Sequence, residues 1–295
     1  MHASARETPR LRGIPPLGQI NVNGISVAYL EEGPPDGPLA LLLHGFPDSA
    51  HTWRYLLPAL GAAGWHAVAP WMRGYAPTEI PADGRLHTGA LVADANAVHD
   101  ALGGDGRAVL IGHDWGAAAT YGAAVLAPER WARVVTLAVP PPSVLAGGFF
   151  RYEQLRRSWY MFFFQHPLAG AAVDIEFVRG LWRDWSPGYD ETEDVALLTE
   201  SLGSPENMAA ALGFYKAMWG TVPSEGYEAE LAAAGMMPTQ PLLYLHGRTD
   251  GCLGVEFAAA LEGAVVIEGA GHFLQVERPD EVNERILAFV GPGSP

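Results

Sequence analysis

The segment Gly112-His113-Asp114-Trp115-Gly116 carries the strongest chemical signal in the sequence. It follows the apolar run RAVLI and precedes AAATYGAAVLA, which has a helical pattern. A nucleophile on a sharp strand-to-helix turn has this context, with a glycine two residues to either side where the strained backbone leaves little room. The central residue is Asp114, and a carboxylate needs no deprotonation at neutral pH before it attacks carbon to form an alkyl ester. A helix-capping aspartate is the alternative interpretation, and the two glycines favour the nucleophile.

A carboxylate and a histidine that could serve this nucleophile follow it in chain order. Asp250 comes directly after the apolar run QPLLYLHGRT, and His272 comes directly after AVVIEGAG. Ligands meet an open α/β sheet at the carboxyl ends of its strands, so the three side chains are expected to converge there. The order predicts His272 as the base that activates water and Asp250 as the acid that orients it. The chain has ten histidines, so His272 is selected by its position and not by its residue type.

The tetrapeptide His44-Gly45-Phe46-Pro47 ends another apolar run, LALLL. A strand-ending turn of this composition is a weak signal on its own, and it gains weight beside the nucleophile turn. The backbone N–H groups of Phe46 and Trp115 are then predicted to form an oxyanion hole for the oxygen that becomes negative when water attacks the Asp114 ester. One such donor typically contributes about 2.7–4 kcal/mol in the transition state.

These turns are separated by short apolar runs that alternate with longer helical patterns. The predicted strands are QINVNGI and SVAYLEE, joined as a hairpin, then LALLLHGF, HAVAPWM, RAVLIGHD, VVTLAVP, QPLLYLHG and AVVIEGA. Runs without polar alternation indicate strands buried on both faces, as in a parallel sheet covered by helices. The pattern predicts an α/β fold with a doubly wound, mostly parallel sheet and an antiparallel strand at its N-terminal end.

Residues 141–237 interrupt this alternation with a helical, aromatic-rich segment. Pro140-Pro141-Pro142 ends the preceding strand, and Pro238-Thr239-Gln240-Pro241 begins the return to the sheet. We predict a helical cap inserted between two parts of an α/β core, residues 18–140 and 238–290. Its aromatic side chains would form the interior of the cap and roof a cavity, and a pure packing role accounts for most of them.

Composition excludes several classes of function. The chain has 295 residues, 49 % hydrophobic and 17 % charged, with a net charge of −15, which rules out a long disordered protein. The negative charge argues against a nucleic acid or an anionic membrane as a partner. The single Cys252 excludes an internal disulfide and a cysteine-only metal site. Neither a signal-peptide core nor an apolar run of about 18 residues is visible, so we expect a cytoplasmic protein without a membrane span. The sequence does not indicate an oligomeric state.

The segments HGFP, MRGYAPT, GHDWG and GHFLQVERP, in this order and spacing, resemble the α/β-hydrolase-fold epoxide hydrolases. The resemblance extends from about residue 18 to residue 290. It implies an α/β-hydrolase fold with Asp114 as the nucleophile, His272 as the water-activating base and Asp250 as its orienting acid. It also implies that Phe46 and Trp115 form the oxyanion hole.

The same resemblance implies two cap tyrosines that donate hydrogen bonds to the epoxide oxygen. SWYMFFFQHP resembles the segment carrying the first, Tyr160, and LGFYK resembles the segment carrying the second, Tyr215. The chemistry agrees, because ring opening creates an alkoxide that a phenol with a pKa of about 10 can protonate. From the residues alone, packing is the commoner role for either tyrosine, and Tyr152, Tyr189 and Tyr227 compete for the catalytic one. Tyr152 is the reserve for the first position.

The predicted reaction converts a small apolar epoxide and water to a vicinal diol, with no metal or organic cofactor. Phe46, Trp115 and Phe273, the residue after the base, are expected to contact the substrate. Two alternative functions remain open. A haloalkane dehalogenase would share the Asp114 nucleophile, but it would need N–H donors for the halide in place of two phenols. A hydrolase-fold binding protein without turnover should lack the base, the acid or the oxyanion hole, and all three are present here.

Overall fold

The computed structural model describes residues 17–220 and 224–293. Within them, one sheet contains all the strands, which are β1 (Leu17–Val22), β2 (Ile25–Glu32), β3 (Leu39–Leu43), β4 (His66–Pro70), β5 (Val109–His113), β6 (Arg133–Leu137), β7 (Leu242–Gly247) and β8 (Val265–Ile267). Their order across the sheet is β1-β2-β4-β3-β5-β6-β7-β8. β1 pairs with β2 and β2 with β4 in antiparallel register, and every other pair is parallel. The predicted mostly parallel sheet with an antiparallel N-terminal strand is therefore confirmed.

Burial along the strands explains why most of them lack polar alternation in sequence. All residues of β3, β4 and β5 are buried, because these strands lie in the middle of the sheet. β1 lies at the edge and alternates between exposed and half-buried positions. A central parallel strand needs apolar side chains on both faces, whereas an edge strand of a hairpin can face water on one side.

The helices flank the strands and fill the connections. They are α1 (Leu56–Ala62), α2 (Thr88–Ala101), α3 (Trp115–Leu126), α4 (Pro142–Gly148), α5 (Tyr152–Arg157), α6 (Trp159–Phe163), α7 (Ala169–Ala172), α8 (Ile175–Trp185), α9 (Thr192–Leu202), α10 (Pro205–Ala217), α11 (Glu228–Ala234), α12 (Glu256–Ala259), α13 (Leu274–Glu277) and α14 (Pro279–Val290). Two groups pack together, α1 with α14 and α2 with α3 and α11. No helix in the described ranges is both long and apolar enough to cross a membrane.

The connection between β6 and β7 is helical, from α4 to α11, over the part that the structure describes. This is the segment in which the sequence predicts a cap, although its members pack differently. α11 contacts the core helices α2 and α3, where the Cα of Ala234 would lie only 3.1 Å from a Cβ placed on Gly122. α8 instead turns its apolar face inward with Val178, Leu181, Trp182 and Trp185. This spacing of three and four residues puts the four side chains on one helical face.

Candidate active site

Asp114 lies on the tight turn between β5 and α3, with φ 52° and ψ −118°. Positive φ is uncommon for a residue with a side chain and persists only where the surroundings enforce it. The surroundings here are backbone. A Cβ on Gly116 would lie 2.2 Å from the carbonyl oxygen of Leu43, and one on Gly112 would lie 2.3 Å from the carbonyl oxygen of Gly116. The two glycines therefore let the turn pass against the end of β3 and hold the Asp114 side chain at the carboxyl edge of the sheet.

The two carboxylate oxygens of Asp114 have different surroundings. Oδ1 accepts a hydrogen bond of 2.7 Å from the backbone N–H of Phe46. Oδ2 lies 3.7 Å from Nε2 of His272. Burial raises the pKa of Asp114, and the charge of His272 together with the N–H groups of Phe46 and Trp115 oppose that shift by stabilising the carboxylate. One oxygen thus occupies the predicted oxyanion hole, and the other faces the predicted base.

His272 and Asp250 form a fully buried pair at the ends of β8 and β7. Nδ1 of His272 is 3.0 Å from Oδ2 of Asp250. An ionised carboxylate only accepts hydrogen bonds, so Nδ1 carries a proton and Nε2 is turned towards Asp114. The other Asp250 oxygen accepts the N–H groups of Cys252 at 2.7 Å and Leu253 at 2.9 Å, which fix the carboxylate.

The pKa values of this pair move in opposite directions. Burial alone lowers the pKa of His272, but the charge of Asp250, their hydrogen bond and the charge of Asp114 outweigh it, so the net pKa is raised. Burial alone raises the pKa of Asp250, and the charge and hydrogen bond of His272 outweigh it, so the net pKa is lowered. Both shifts favour a charged pair, which suits a histidine that must hold a proton during turnover.

Tyr160 on α6 and Tyr215 on α10 pack against each other near Asp114, whose charge adds to burial in raising the pKa of both phenols. Their ring centroids are 5.6 Å apart, and both side chains are fully buried. The Tyr215 hydroxyl has no hydrogen-bond partner among the described residues, whereas the Tyr160 hydroxyl lies 3.3 Å from Sγ of Cys252. Burial and the nearby charge of Asp114 raise the pKa of Tyr215, so its hydroxyl is a neutral donor. The reserve tyrosine, Tyr152, is 72 % exposed and lies outside this cluster.

α10 is positioned by a well-formed N-terminus. The Ser204 hydroxyl accepts the backbone N–H of Asn207, and Pro205 occupies the first helical turn, where its missing N–H costs nothing. Ten residues further on, Tyr215 packs edge-on against Phe46 and Trp115, with ring centroids 5.1 Å away in each case. The N-cap at Ser204 thus sets where α10 begins and, through the helix, where the buried Tyr215 side chain lies.

A cavity of about 90 Å³ opens beside Asp114 and Tyr215. Most of its wall is apolar and comes from the segment after β6 and from α4, α6 and α10, with Val139, Leu145, Phe149, Met161 and Met218. Met218 is 42 % exposed, so the cavity reaches solvent on its side. Among the described residues of the wall, the ionisable groups are Asp114, Tyr215 and Cys252. A larger groove of about 300 Å³ lies between α4 and α12 and contains none of the candidate catalytic residues.

Of the three residues expected to contact substrate, Trp115 lines this cavity, whereas Phe46 and Phe273 do not. Tyr160 lies behind the cavity wall, next to Tyr215 and Cys252.

The position of Phe273 differs most from the expectation. The buried Phe273 ring stacks on Trp182 with centroids 3.4 Å apart and touches the His272 ring edge-on at 5.0 Å. The Trp182 indole N–H in turn donates to the carbonyl of Pro47 at 2.8 Å. Phe273 therefore lies behind the base and joins it to α8, whereas the sequence suggested a direct contact with substrate.

Sequence analysis missed the part that the end of α8 plays in the site. The carbonyl oxygen of Trp185 accepts the backbone N–H groups of both Gly251 and His272 at 3.0 Å, so it ties the acid loop to the base loop. The Ser186 hydroxyl donates to Glu277, whose other oxygen accepts the N–H of Gly271 at 2.7 Å. The apolar residues on one face of α8 could have predicted from the sequence that this helix packs inward, but they do not indicate which loops it contacts.

One group of potential metal ligands occurs in the described residues. Ligand atoms of Asp250, Cys252 and His272 lie within 4.8 Å of one another. Both Asp250 oxygens already accept hydrogen bonds, from His272 and from two backbone N–H groups. We therefore interpret the group as part of the acid–base network.

Comparison with known proteins places the chain in a family. The family model described as alpha/beta hydrolase fold matches residues 38–279, so the chain belongs to the α/β-hydrolase fold. Epoxide hydrolase A of Mycobacterium tuberculosis is 30 % identical over 94 % of this chain and 98 % of its own length. The epoxide hydrolase of Caballeronia sordidicola is 32 % identical over 92 % of each chain.

A solved structure agrees with these relatives. The crystal structure of epoxide hydrolase A from Mycobacterium thermoresistibile superposes with a TM-score of 0.75 at 28 % identity, covering 93 % of this chain and 98 % of that one. The chain is thus a hydrolase that belongs to the epoxide hydrolase family of the α/β-hydrolase fold, which confirms the resemblance drawn from its motifs.

Proposed function

We propose that this protein hydrolyses a small apolar epoxide to a vicinal diol through a covalent ester on Asp114. One observation carries the proposal. One oxygen of the Asp114 carboxylate accepts a hydrogen bond from the backbone N–H of Phe46, and the other lies 3.7 Å from Nε2 of the buried His272. The same carboxylate borders a cavity that is also lined by Tyr215, whose hydroxyl has no hydrogen-bond partner among the described residues. The kinship with named epoxide hydrolases supports the choice of substrate.

In the first step, Oδ2 of Asp114 attacks a ring carbon of the epoxide. The carbon–oxygen bond of the ring breaks, and its electron pair goes to the ring oxygen. Tyr215 and Tyr160 donate hydrogen bonds to that oxygen, and one phenol gives it a proton and becomes a phenolate until ester hydrolysis releases a proton from water. The product of this step is a hydroxyalkyl ester of Asp114.

In the second step, Nε2 of His272 takes a proton from water, and the hydroxide attacks the carboxyl carbon of the ester. The negative oxygen that develops is Oδ1, which already lies on the Phe46 N–H at 2.7 Å, with the Trp115 N–H beside it. Collapse of this intermediate breaks the bond between the carboxyl carbon and the alkyl oxygen, which takes the proton from His272 and leaves with the diol. The carboxyl group of Asp114 then gives up the second proton of the water, which restores the phenol.

Ester formation would also prepare the base. The negative charge of Asp114 is one of the causes that raise the pKa of His272. Esterification removes that charge, so the pKa of His272 falls and Nε2 becomes free to accept a proton from water. The charge of Asp250 remains and stabilises the imidazolium that then forms.

The cavity supports an uncharged, compact substrate. The described residues of its wall include no cation to pair with an anionic substituent, and their apolar side chains favour hydrocarbon. Its volume of about 90 Å³ is below the roughly 150 Å³ that admits a benzene ring in an apolar protein cavity. A short alkyl epoxide therefore fits best. In this proposal residues 141–237 act as a cap that supplies both phenols, over a core of residues 18–140 and 238–290.

Intact-protein mass spectrometry of His272→Gln tests the proposal. The variant is mixed with 1,2-epoxybutane and, separately, with 1-bromobutane. The wild type should form the diol without a lasting adduct. The variant should accumulate an adduct of epoxide mass that disappears when Asp114 is also changed to Ala. His99→Gln is the matched control, because His99 is buried beside Trp131 and away from the cavity; it should turn over and show no adduct.

The other outcomes contradict the proposal. An adduct with the bromide alone would identify a haloalkane dehalogenase, which would use the same Asp114 carboxylate. Binding of the epoxide without diol or adduct would indicate a hydrolase-fold binding protein. An adduct that survives in the Asp114→Ala background would place the nucleophile elsewhere.

A further inference from the structure

The Tyr160 hydroxyl has one hydrogen-bond partner in the described residues, and it is a thiol. Oη of Tyr160 lies 3.3 Å from Sγ of Cys252, within the distance of a hydrogen bond to sulfur. Both side chains are buried, and Cys252 also forms part of the cavity wall beside Asp114. Cys252 is the only cysteine in the sequence. The contact therefore joins the loop of the acid to a proposed ring-opening phenol.

The main chain of Cys252 is held from both sides. Its N–H donates to Oδ1 of Asp250 at 2.7 Å, and its carbonyl accepts Nε2 of Gln154 at 2.8 Å. The same Gln154 amide donates to the Ser158 hydroxyl, and its oxygen accepts the N–H of Gly254. Gln154 is fully buried on α5, immediately before the helix of Tyr160. The thiol and the phenol are thus anchored to one hydrogen-bonded unit.

The direction of the thiol hydrogen bond decides what the phenol can do. If the phenol donated to sulfur, its proton would be held by Cys252 and would not be available to the epoxide. If the S–H donates to Oη, the phenolic proton is not held by sulfur and can turn towards Tyr215 and the cavity beyond it, and accepting that bond makes the phenol a stronger donor. Burial, reinforced by the charges of Asp250 and Asp114, raises the pKa of Cys252 well above its usual range. The thiol therefore stays protonated and remains able to donate.

We propose that Cys252 is a positioning residue for the ring-opening step, whose S–H donates to Oη of Tyr160 and turns the phenolic O–H towards the substrate. The inference rests on the proposed function, since it assigns the thiol a role in the same epoxide opening. Cys252 would then act on both catalytic groups, because its N–H fixes the Asp250 carboxylate and its side chain would orient the Tyr160 phenol.

A double-mutant cycle with Tyr160→Phe tests this role. Single-turnover experiments with 1,2-epoxybutane give separate rate constants for formation and hydrolysis of the ester. Loss of one neutral hydrogen bond predicts that Cys252→Ala slows ester formation about 3- to 10-fold when Tyr160 is present. The same substitution should change the rate by less than about twofold in the Tyr160→Phe background, where there is no phenol to orient. Cys252→Ser keeps a donor and should restore most of the rate, and ester hydrolysis should be unchanged throughout.

Leu253→Val is the matched control. Leu253 lines the same cavity, and its side chain offers no hydrogen bond. Its effect on ester formation should be equal in the Tyr160 and Tyr160→Phe backgrounds. Thermal unfolding checks each variant, and Cys252→Val replaces Cys252→Ala should the alanine variant not fold.

Two results would overturn the inference. Equal losses for Cys252→Ala in both backgrounds would show that the thiol only fills space. Unchanged ester formation in Cys252→Ala would show that Tyr160 needs no positioning by sulfur. Failure of the wild type to convert the epoxide would instead contradict the proposed function, so the two failures can be told apart.

Discussion

Backbone positions one half of the candidate site, and side-chain packing positions the other. Asp114, Asp250 and His272 stand at the ends of parallel strands, where main-chain groups surround them at close range. Tyr160 and Tyr215 stand on α6 and α10, between β6 and β7, and they reach the site through contacts among aromatic rings. Both tyrosine rings pack against Phe164, for example, at 5.5 Å and 5.1 Å.

The two modes of support suit two kinds of chemistry. Attack by a carboxylate and stabilisation of an oxyanion need atoms fixed within a fraction of an ångström, which a sheet edge supplies. Donation of a proton to substrates of different shapes tolerates more variation, and helices packed by side chains can be altered without disturbing the sheet. Substitutions on the strand ends should therefore have larger effects than substitutions in the helical segment.

The largest effect is expected for Asp250→Asn. Loss of the charge that stabilises the His272 imidazolium should slow ester hydrolysis by about 10³- to 10⁴-fold and leave ester formation much less affected. The ester should therefore accumulate, which intact-protein mass spectrometry would detect. Comparable losses in both steps would mean that Asp250 supports the fold of the site and not the base.

The same variant has a pH signature. Ester hydrolysis needs neutral His272, so the wild-type rate of this step should rise with pH as His272 loses its proton. The charge of Asp250, which remains in the ester intermediate, raises the pKa at which this occurs. Its removal lowers the pKa, so the rising limb of the pH–rate profile should move to lower pH in Asp250→Asn. A rising limb at the same pH in Asp250→Asn would show that a group other than His272 controls the pH dependence.

The next largest effect is expected for Gly45→Ala, which tests whether close backbone contacts position Asp114. A Cβ on Gly45 would lie 2.4 Å from both Cβ and Oδ1 of Asp114, so the nucleophile must shift. Displacement by about 1 Å costs on the order of 100-fold in rate. Gly180→Ala in α8 is the control, because its Cβ would meet no atom within 4 Å. It should keep wild-type rates and gain up to about 1 kcal/mol of stability as a helical alanine. Similar losses for both variants would contradict the contrast between the two regions.

This contrast also explains what could be predicted from the sequence. A strand followed by a glycine-flanked turn is a local pattern, so Asp114, Phe46 and the sheet could be derived from neighbouring residues. Tyr160 and Tyr215 could be chosen over Tyr152 only through the family resemblance, since exposure depends on how the helices pack. The contacts of Trp185 and Cys252 join segments far apart in the chain, and no local pattern encodes them.

In the helical segment, Tyr215→Phe should have an intermediate effect. Removal of a proton donor to the ring oxygen should slow ester formation by about 10- to 100-fold, with ester hydrolysis nearly unchanged. Tyr152→Phe is the control, because its side chain is 72 % exposed; it should keep both rates. Rapid-quench measurement of the two steps distinguishes the variants. A loss confined to ester hydrolysis would assign Tyr215 to the water and not to the epoxide.

The smallest effect is expected where the two regions meet, at Phe273→Leu. The Phe273 ring lies between the base and α8, stacked on Trp182 and in contact with His272. Loss of the stacking should lower the free energy of unfolding by about 1–2 kcal/mol, measurable by urea denaturation. The ratio of kcat/KM between an aryl and an alkyl epoxide should stay unchanged, because the ring does not line the cavity. A changed ratio at unchanged stability would return Phe273 to the substrate-contacting role that the sequence suggested. Lower stability at a constant ratio would mean that this ring couples the packed helices to the rigid strand ends.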